Sequence, residues 1–252
     1  MNHSLRKFYV FLLPLFLFLI HLPFVFANVK HDTKTAIVAE TGNRLPETNV
    51  DMSADLALYT SLKLQQIGLS QQAFINAVKG YYYLHSQGKL NNDGVLSIVD
   101  FSLPSSKERL FVIDLDNDKL LYKTFVAHGR NSGTKYAREF SNRPESYKSS
   151  LGFYITRNTY QGQHGYSLRL EGEEEGINDN AMSRAIVMHS AEYVNQSLVK
   201  TQGYIGRSLG CPALPPQVYR PIIQKIKDGS CLFMYSPDAR YEQRSKILKL
   251  AS

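Results

Sequence analysis

The sequence predicts a fold built mainly from β-strands, with a few helices. Two patterns lead to this prediction. From Val95 onwards the pattern is interpreted as the period of two that is typical of strands, whereas residues 54–88 and the stretch after Pro215 repeat apolar residues at helical spacing. The chain has 252 residues, which is enough for one well-buried core and a small accessory region.

Two helices are predicted before the first strand. The first begins near Ala54, and the second begins after Ser70, whose hydroxyl is suited to cap free N–H groups, and ends at Gly88. The three tyrosines at 81–83 are interpreted as a packing surface, with stacking on a glycan as the alternative. The predicted apolar faces consist of Leu56, Leu58, Leu62 and Leu64 in the first helix, and of Phe74, Ala77, Val78 and Tyr81 in the second.

Strands and one late helix follow. Asp116-Asn117-Asp118 predicts a hairpin turn between the second and third strands. The late helix begins at Pro215-Pro216, buries Val218, Ile222 and Ile226, and ends at Gly229. The predicted strands are Val95–Phe101, Arg109–Leu115, Lys119–Ala127, Gly152–Arg157, Ser167–Leu170, Ala185–His189 and Cys231–Tyr235.

An N-terminal secretory signal is predicted at residues 1–27. Arg6 and Lys7 precede an apolar run over 8–26, and Val25-Phe26-Ala27 has the compact residues of a cleavage site. The alternative is an uncleaved membrane anchor, because the run approaches the length that spans a bilayer. In both cases the rest of the chain is expected to be exported, to the periplasm or the cell envelope.

The remaining chain is expected to consist of four parts. Residues 28–50 are polar and aperiodic, which indicates a flexible linker. The parts after the linker are a helical accessory segment at 51–94, a strand-rich domain at 95–237 and a charged, peripheral tail at 238–252.

The chain is mildly basic, with a formal charge of +7 that becomes +5 without Arg6 and Lys7. An exported protein of this charge is attracted to anionic polymers of the cell envelope. The basic residues are scattered, so nothing favours a nucleic-acid partner. Membrane contact is expected only transiently, through the signal segment.

A cysteine in a tight loop is the strongest candidate for chemistry. Cys211 lies in Gly206-Arg207-Ser208-Leu209-Gly210-Cys211-Pro212, where Arg207 is expected to lower the pKa of the thiol. His189 ends an apolar strand upstream and can act as the base. The separation of the two residues suits two loops that meet at one end of a sheet, an arrangement used for acyl transfer.

The second cysteine leaves an alternative open. In an oxidising compartment Cys211 and Cys231 could form a disulfide. Cys231 instead opens an apolar strand, where it is interpreted as a small buried hydrophobic residue that leaves Cys211 free.

Other polar clusters have residue types that occur in different kinds of functional site. His128 and His164 lie in glycine-containing loops and are expected to line the cleft. No His or Cys pair has the spacing of a zinc site, and the alternating aspartates at 114–118 lack the rest of a calcium loop, so no metal and no cofactor are expected. The acidic loop at 171–176 has the residue type of a glycosidase but no aromatic sugar platform, so it is interpreted as solvated.

The order of the two motifs resembles the L,D-transpeptidase catalytic domain of bacterial cell-wall enzymes. In that family a strand ending in His precedes a Ser/Thr-His-Gly-Cys loop, which His189-Ser190 and Ser208-Leu209-Gly210-Cys211 match. The segment 149–155 resembles the family's Thr-Pro-x-Gly-x-Phe-x-Ile strand. The likeness covers roughly residues 109–236 and implies a β-sandwich catalytic domain at 95–237, preceded by the small helical segment.

Two departures from the family pattern accompany this resemblance. Leu209 stands where the family has a second His, and Pro212-Ala213 replace an apolar-Arg pair. The motif Gly-Arg-Ser-x-Gly-Cys-Pro is similar to a divergent branch, the murein L,D-transpeptidase catalytic domain. Differences in substrate detail are therefore expected.

The resemblance implies an exported cysteine acyltransferase that acts on peptidoglycan stem peptides. Cys211 would be the nucleophile that forms a thioester, and His189 the base, oriented by the Ser190 carbonyl. Backbone N–H groups of Gly210 and Cys211 would form the oxyanion hole. Substrate contacts would come from Arg207, Ser208, His128 and His164. Water as the acceptor would make the enzyme an L,D-carboxypeptidase, and the alternative class is a non-catalytic, disulfide-closed cell-wall binding module.

Overall fold

The computed structural model describes residues 52–251. The predicted signal at 1–27 and linker at 28–50 lie outside these residues. Within them the expected fold class is confirmed, because strands dominate and a helical segment precedes them. The helices are α1 (Met52–Ser61), α2 (Gln71–Ser86), α3 (Gln196–Gln202), α4 (Tyr219–Ile226), α5 (Ala239–Arg244) and α6 (Lys246–Leu250). The strands are β1 (Val95–Asp100), β2 (Leu110–Asp114), β3 (Lys119–Thr124), β4 (Gly152–Gly162), β5 (Gly165–Gly172), β6 (Val187–Ser190), β7 (Ala213–Leu214) and β8 (Cys231–Tyr235).

The strands form one sheet in the order β3-β2-β1-β8-β4-β5-β6-β7. The pairs β1–β8 and β6–β7 are parallel, and the other neighbours are antiparallel. The two ends of the sheet also meet, because the Ala127 N–H beyond β3 donates to the Ala213 carbonyl in β7 at 2.9 Å. This closure brings the chain after β3 next to the Cys211 loop.

The N-terminal helices belong to the main core of the molecule. The Ser70 hydroxyl accepts a hydrogen bond from Ala73 N–H at 3.0 Å and so caps α2, as the sequence predicts. Phe74 and Leu84 of α2 are fully buried in the same apolar cluster as Phe153 of the sheet. The helical segment predicted as an accessory part therefore shares its core with the strands.

A long hairpin extends over the end of the sheet that carries the site. β4 and β5 run to Gly162 and Gly165, beyond the expected ends at Arg157 and Ser167. Strand β7 has only two residues, too few to produce a periodic signal in the sequence. The β4–β5 hairpin is longer than predicted because its hydrogen-bond ladder continues through polar residues, which show no apolar pattern.

The tail at 238–252 differs from the expectation of a peripheral segment. It forms α5 and α6, and Tyr241, Ile247 and Leu248 are buried in the main core. The sequence of this stretch does not predict the apolar face, because charged residues are frequent and the two helices are too short to show a clear helical period.

No helix within residues 52–251 has the length and apolar character needed to cross a lipid bilayer.

Candidate active site

The parallel pairing of β6 and β7 brings the two predicted catalytic segments together. His189 pairs with Ala213, and Ser190 pairs with Leu214. Cys211 lies two residues before Ala213, so it is level with Val187 at the start of β6. His189 and Cys211, 22 positions apart in the chain, therefore lie on adjacent segments of one sheet edge.

The Cys211 thiol lies against the backbone that leads into β6. The Val187 N–H donates to Sγ at 3.5 Å, and the thiol is 3.7 Å from the Ala185 carbonyl. Burial raises the pKa of the thiol, while the Val187 N–H and the positive charge of Arg184 oppose this shift. The resting group is consequently a thiol, which must lose its proton to act as a nucleophile.

Both cysteines are free. Cys231 is buried in β8 between β1 and β4, whereas Cys211 lies on the loop before β7. Burial raises the pKa of Cys231 far above its ordinary value, so it is inert. The alternative of a disulfide between them is not found in the structure.

His189 is buried and has its ring fixed by one hydrogen bond. Nδ1 is 2.8 Å from the Ser190 carbonyl, so this nitrogen carries the proton when the ring is neutral. Burial lowers the pKa of His189, the bond to the Ser190 carbonyl opposes the shift, and the charge of His164 adds to it. A neutral ring with the proton on Nδ1 leaves the lone pair on Nε2.

The hairpin between β4 and β5 covers His189. His164 lies in its turn and is solvent-exposed, and its ring stacks on that of His189 with centroids 4.3 Å apart. The extension of the hairpin thus places His164 against His189, whereas its predicted contact with a substrate stays a prediction.

Hydrogen bonds brace the loop that carries Cys211. The Ser208 hydroxyl donates to the Cys211 carbonyl at 2.6 Å and accepts from Gly210 N–H at 3.0 Å. Gly210 has a φ of +129° and its missing side chain leaves room for Ile186 and the Lys148 carbonyl. Only glycine fits this position without strain.

These contacts change two of the expected roles. Because Ser208 Oγ is engaged with the loop backbone, Ser208 holds the loop rather than facing a substrate. The Gly210 N–H is likewise committed to Ser208 Oγ, so it is not free to stabilise an oxyanion in this conformation. The Cys211 N–H makes no hydrogen bond within residues 52–251.

Arg184, and not Arg207, is the cation beside the thiol. Arg207 is exposed and donates to the carbonyls of Arg130 and Gly133, both at 3.2 Å. The Arg184 guanidinium donates to the Lys148 carbonyl at 2.7 Å and the Ser150 hydroxyl at 2.6 Å, and its charge acts on Cys211. The expectation that Arg207 lowers the pKa of the thiol is therefore wrong, both in the residue and in the net direction.

His128 does not line the cleft. It is 0% exposed, with Nδ1 2.7 Å from Arg109 Nη2 and Nε2 3.2 Å from the Gly133 carbonyl. Burial, reinforced by the charge of Arg109, lowers the pKa of His128 to about 3, so the ring is neutral. Both ring nitrogens serve the loop structure, and the expected contact with substrate is not found.

Two residues at the site, Arg184 and Tyr193, are not predicted from the sequence. Burial, followed by the negative charge of a Cys211 thiolate, raises the pKa of Tyr193 to about 12. Gly206, the first residue of the Cys211 loop, donates to the Tyr193 carbonyl at 2.7 Å. Both residues lie in irregular segments around β6, where no period marks them in the sequence.

Leu209, in the place of the second His, is 57% exposed.

Within residues 52–251 no three His, Cys, Asp or Glu side chains are grouped so that they could hold a metal ion.

Comparison with solved structures finds L,D-transpeptidases at low sequence identity. The enzyme from Mycobacterium smegmatis is 15% identical, with a TM-score of 0.35, over 57% of this chain and 59% of that one. The enzyme from Stackebrandtia nassauensis is 14% identical, with a TM-score of 0.34, over 75% and 79% of the two chains. The chain thus spans less than two thirds of the M. smegmatis structure. No curated protein sequence matches it.

A family model gives the assignment directly. Residues 65–235, more than half of the chain, match the model of the L,D-transpeptidase catalytic domain. The match begins within the helical segment, in agreement with the shared core, and ends with the last residue of β8. The chain therefore belongs to the L,D-transpeptidase catalytic domain family.

Proposed function

We propose that the protein is an exported cysteine acyltransferase that acts on peptidoglycan stem peptides through a Cys211 thioester, with His189 as the base. The observation that carries this proposal is the pairing of β6 with β7. It brings the strand that carries His189, whose Nδ1 is held by the Ser190 carbonyl, next to the segment that carries the free thiol of Cys211. Membership of the family supports peptidoglycan as the substrate.

The first half-reaction forms the thioester. His189 Nε2 takes the proton from Cys211, and Sγ attacks the carbonyl between an L-centre and the terminal D-residue of a donor stem peptide. The carbon–sulfur bond forms and the carbon–nitrogen bond breaks. His189 returns the proton to the departing amine, so the D-amino acid leaves as a neutral amine.

The second half-reaction releases the enzyme. An amine of an acceptor stem peptide attacks the thioester, its proton passes through His189 to the sulfur, and a new amide bond replaces the carbon–sulfur bond. Water at the same position would give a free carboxylate, which is the L,D-carboxypeptidase reaction of this site. An amine acceptor has the advantage that it is the stronger nucleophile.

Negative charge on the carbonyl oxygen must be stabilised in both steps. The Cys211 N–H is the available backbone donor, and one such donor contributes about 3 kcal/mol. Gly210 could add a second only if the bond from its N–H to Ser208 Oγ were exchanged for one to the oxyanion. We therefore assign the principal role to Cys211 N–H.

Export is part of the proposal because peptidoglycan lies outside the cytoplasmic membrane. Its support is the sequence pattern at residues 1–27, where Arg6 and Lys7 precede an apolar run that ends in Val25-Phe26-Ala27. The periplasm or cell envelope is the corresponding location.

A carbapenem tests the proposal on the native chain. Its strained lactam carbonyl should acylate Cys211, and intact-mass measurement should show one adduct that peptide mapping assigns to Cys211. Cys231→Ser should retain the adduct and Cys211→Ser should lose it. Incubation with a stem tetrapeptide should also release its terminal D-amino acid. The proposed substrate would be overturned if Cys211 reacts with iodoacetamide but forms no carbapenem adduct, and the protein releases no D-amino acid.

A further inference from the structure

One face of the sheet at the site continues from β6 onto β5 and β4. Arg169 of β5 is paired directly with Val187 of β6, so the two side chains lie on the same face. His189, two residues after Val187, shares that face because side chains alternate along a strand. Leu168, paired with Met188, points to the opposite face and is fully buried in the core.

Tyr160 of β4 lies on this face as well and holds the Arg169 side chain. Tyr160 pairs with Ser167, two residues before Arg169. The guanidinium carbon of Arg169 lies over the Tyr160 ring, 4.3 Å from its centroid. The attraction between a cation and an aromatic ring restrains the guanidinium without using its N–H donors.

The donors of Arg169 have no acceptor in the described part of the chain, where its only specific partner is the ring of Tyr160. The two other arginines near the site are engaged with backbone. Arg184 donates to the carbonyls of Ser141 and Lys148, and Arg207 to those of Arg130 and Gly133. Arg169 is thus held in place with its hydrogen-bonding capacity unused.

We propose that Arg169, supported by Tyr160, binds a carboxylate of the peptide substrate and is a specificity-determining residue of this site. The proposal rests on the proposed function, which makes that peptide a peptidoglycan stem peptide. A planar guanidinium binds a carboxylate through two parallel hydrogen bonds, which are stronger than neutral ones.

The sheet geometry also gives the position of that carboxylate. Cys211 is level with Val187, and Val187 with Arg169, so two strand spacings of about 4.8 Å each separate the sulfur-bearing segment from β5. An extended chain covers about 3.3 Å per residue. The carboxylate should therefore be about three residues, or a side chain of the same reach, away from the carbonyl that Cys211 attacks.

Two synthetic stem peptides that differ only in amidation of that carboxylate test the proposal. Their affinities are measured by calorimetric titration of the full chain carrying Cys211→Ser, which prevents acylation. The free carboxylate should bind about tenfold more tightly than the amide. Arg169→Gln should remove this difference, Arg169→Lys should keep part of it, and Tyr160→Phe should keep it because the ring remains.

Arg220 provides a matched control. It also lies over a tyrosine ring, 5.1 Å from the centroid of Tyr166, but Tyr166 belongs to the opposite face, two residues before Leu168. Arg220→Gln should leave both affinities unchanged. In turnover with otherwise native protein, Arg169→Gln should raise KM about tenfold and leave kcat within about twofold.

The inference would be overturned if the protein that retains Arg169 bound the acid and the amide with equal affinity. It would also be overturned if Arg169→Gln and Arg220→Gln lost the same amount of affinity for the acid. Tight binding of a phosphate-bearing wall polymer that competes at Arg169, without a preference for the peptide carboxylate, would also overturn it. The proposed function fails separately: it is excluded if neither peptide is turned over, even when their binding depends on Arg169.

Discussion

Burial acts in opposite directions on the pKa values of the two groups proposed to react, Cys211 and His189. It raises the pKa of the Cys211 thiol and lowers the pKa of the His189 imidazole, so both groups are neutral near neutral pH. In the proposed mechanism, the proton then moves from sulfur to Nε2 as the substrate is attacked. This differs from cysteine sites in which a nearby cation keeps a standing thiolate.

His189→Ala should lower turnover by about 10²-fold or more, the usual contribution of a positioned base. For the native chain, the base form of His189 must be neutral, and burial lowers its pKa. The acid limb of the rate profile should therefore lie below the ~6.5 of a free imidazole. Steady-state rates against pH measure this limb.

His164→Ala serves as the control for that profile. It uncovers His189 and removes a positive charge that lowers its pKa, so the acid limb should move to higher pH while most of the rate at alkaline pH remains. Near-native turnover in His189→Ala, together with a loss in His164→Ala, would reassign the base.

Arg184 and Arg207 should differ in their effect on the thiol. The Arg184 charge lowers the pKa of Cys211 against the larger effect of burial. In Arg184→Met the midpoint of iodoacetamide alkylation against pH should rise above that of the native chain, and in Arg184→Lys it should stay close to it. Arg207→Met should leave the midpoint unchanged, because Arg207 is bound to Arg130 and Gly133. A rise in Arg207→Met alone would contradict the assignment.

At the scale of elements, helix α2 packs closely on the sheet at Gly80, where there is no room for a side chain. A side chain at Gly80 would overlap the ring of Phe153 in β4. Phe153 cannot move aside easily, because it stacks on Phe233 of β8 with centroids 4.2 Å apart. Close approach of the helix is what allows the predicted accessory segment to become part of the core.

Gly80→Ala tests this fit. Alanine favours a helix interior over glycine by about 1 kcal/mol, but overpacking a core costs about 1–3 kcal/mol. We expect the steric effect to dominate, with a net loss in the free energy of unfolding measured by urea denaturation. Ser86→Ala, at an exposed position of the same helix, should change it by less than about 0.5 kcal/mol. A more stable Gly80→Ala protein would show that the helix is not closely packed there.

At the scale of the whole molecule, the C-terminal helices are connected to the acidic loop after β5. The buried carboxylate of Glu174 accepts hydrogen bonds from the hydroxyls of Tyr241 and Ser245 and from Phe153 N–H. The prediction that this loop is solvated is correct for Glu175 but wrong for Glu173, whose side chain is 6% exposed and forms an ion pair with Lys89, and for Glu174. Glu174 connects the loop to the C-terminal helices.

Burial raises the pKa of Glu174, which its hydrogen bonds only partly oppose. A carboxyl group whose pKa is raised in the folded state contributes most to stability below its unfolded pKa of about 4.3. This contribution to stability is lost as pH rises through the pKa of the folded state. As pH rises across this window, the free energy of unfolding of the native chain should therefore fall relative to that of Glu174→Gln. Denaturant titrations at several pH values measure it. A rise in the stability of the native chain relative to Glu174→Gln over the same pH range would contradict the raised pKa of Glu174.

Much of this protein follows from local sequence patterns. The short, nearly continuous apolar runs of β1, β2 and β8, which are buried throughout, the Ser70 cap and the apolar face of α4 are local properties, so the fold class could be predicted from them. The order of His189 and the Cys211 loop indicated the candidate chemistry and the family. These features are determined by residues close in sequence or by a motif of fixed order.

Tertiary structure alone decided which charges and hydrogen bonds surround the thiol. Arg184 lies beside Cys211, and Arg207 and His128 are engaged elsewhere, because the ends of a closed sheet bring distant loops into contact. The buried tail has the same origin, since Tyr241 meets Glu174 across 67 residues of sequence. Sequence periodicity describes how a segment faces its surroundings, but electrostatic effects depend on distances in space. The protonation of the site could therefore be derived only from the folded chain.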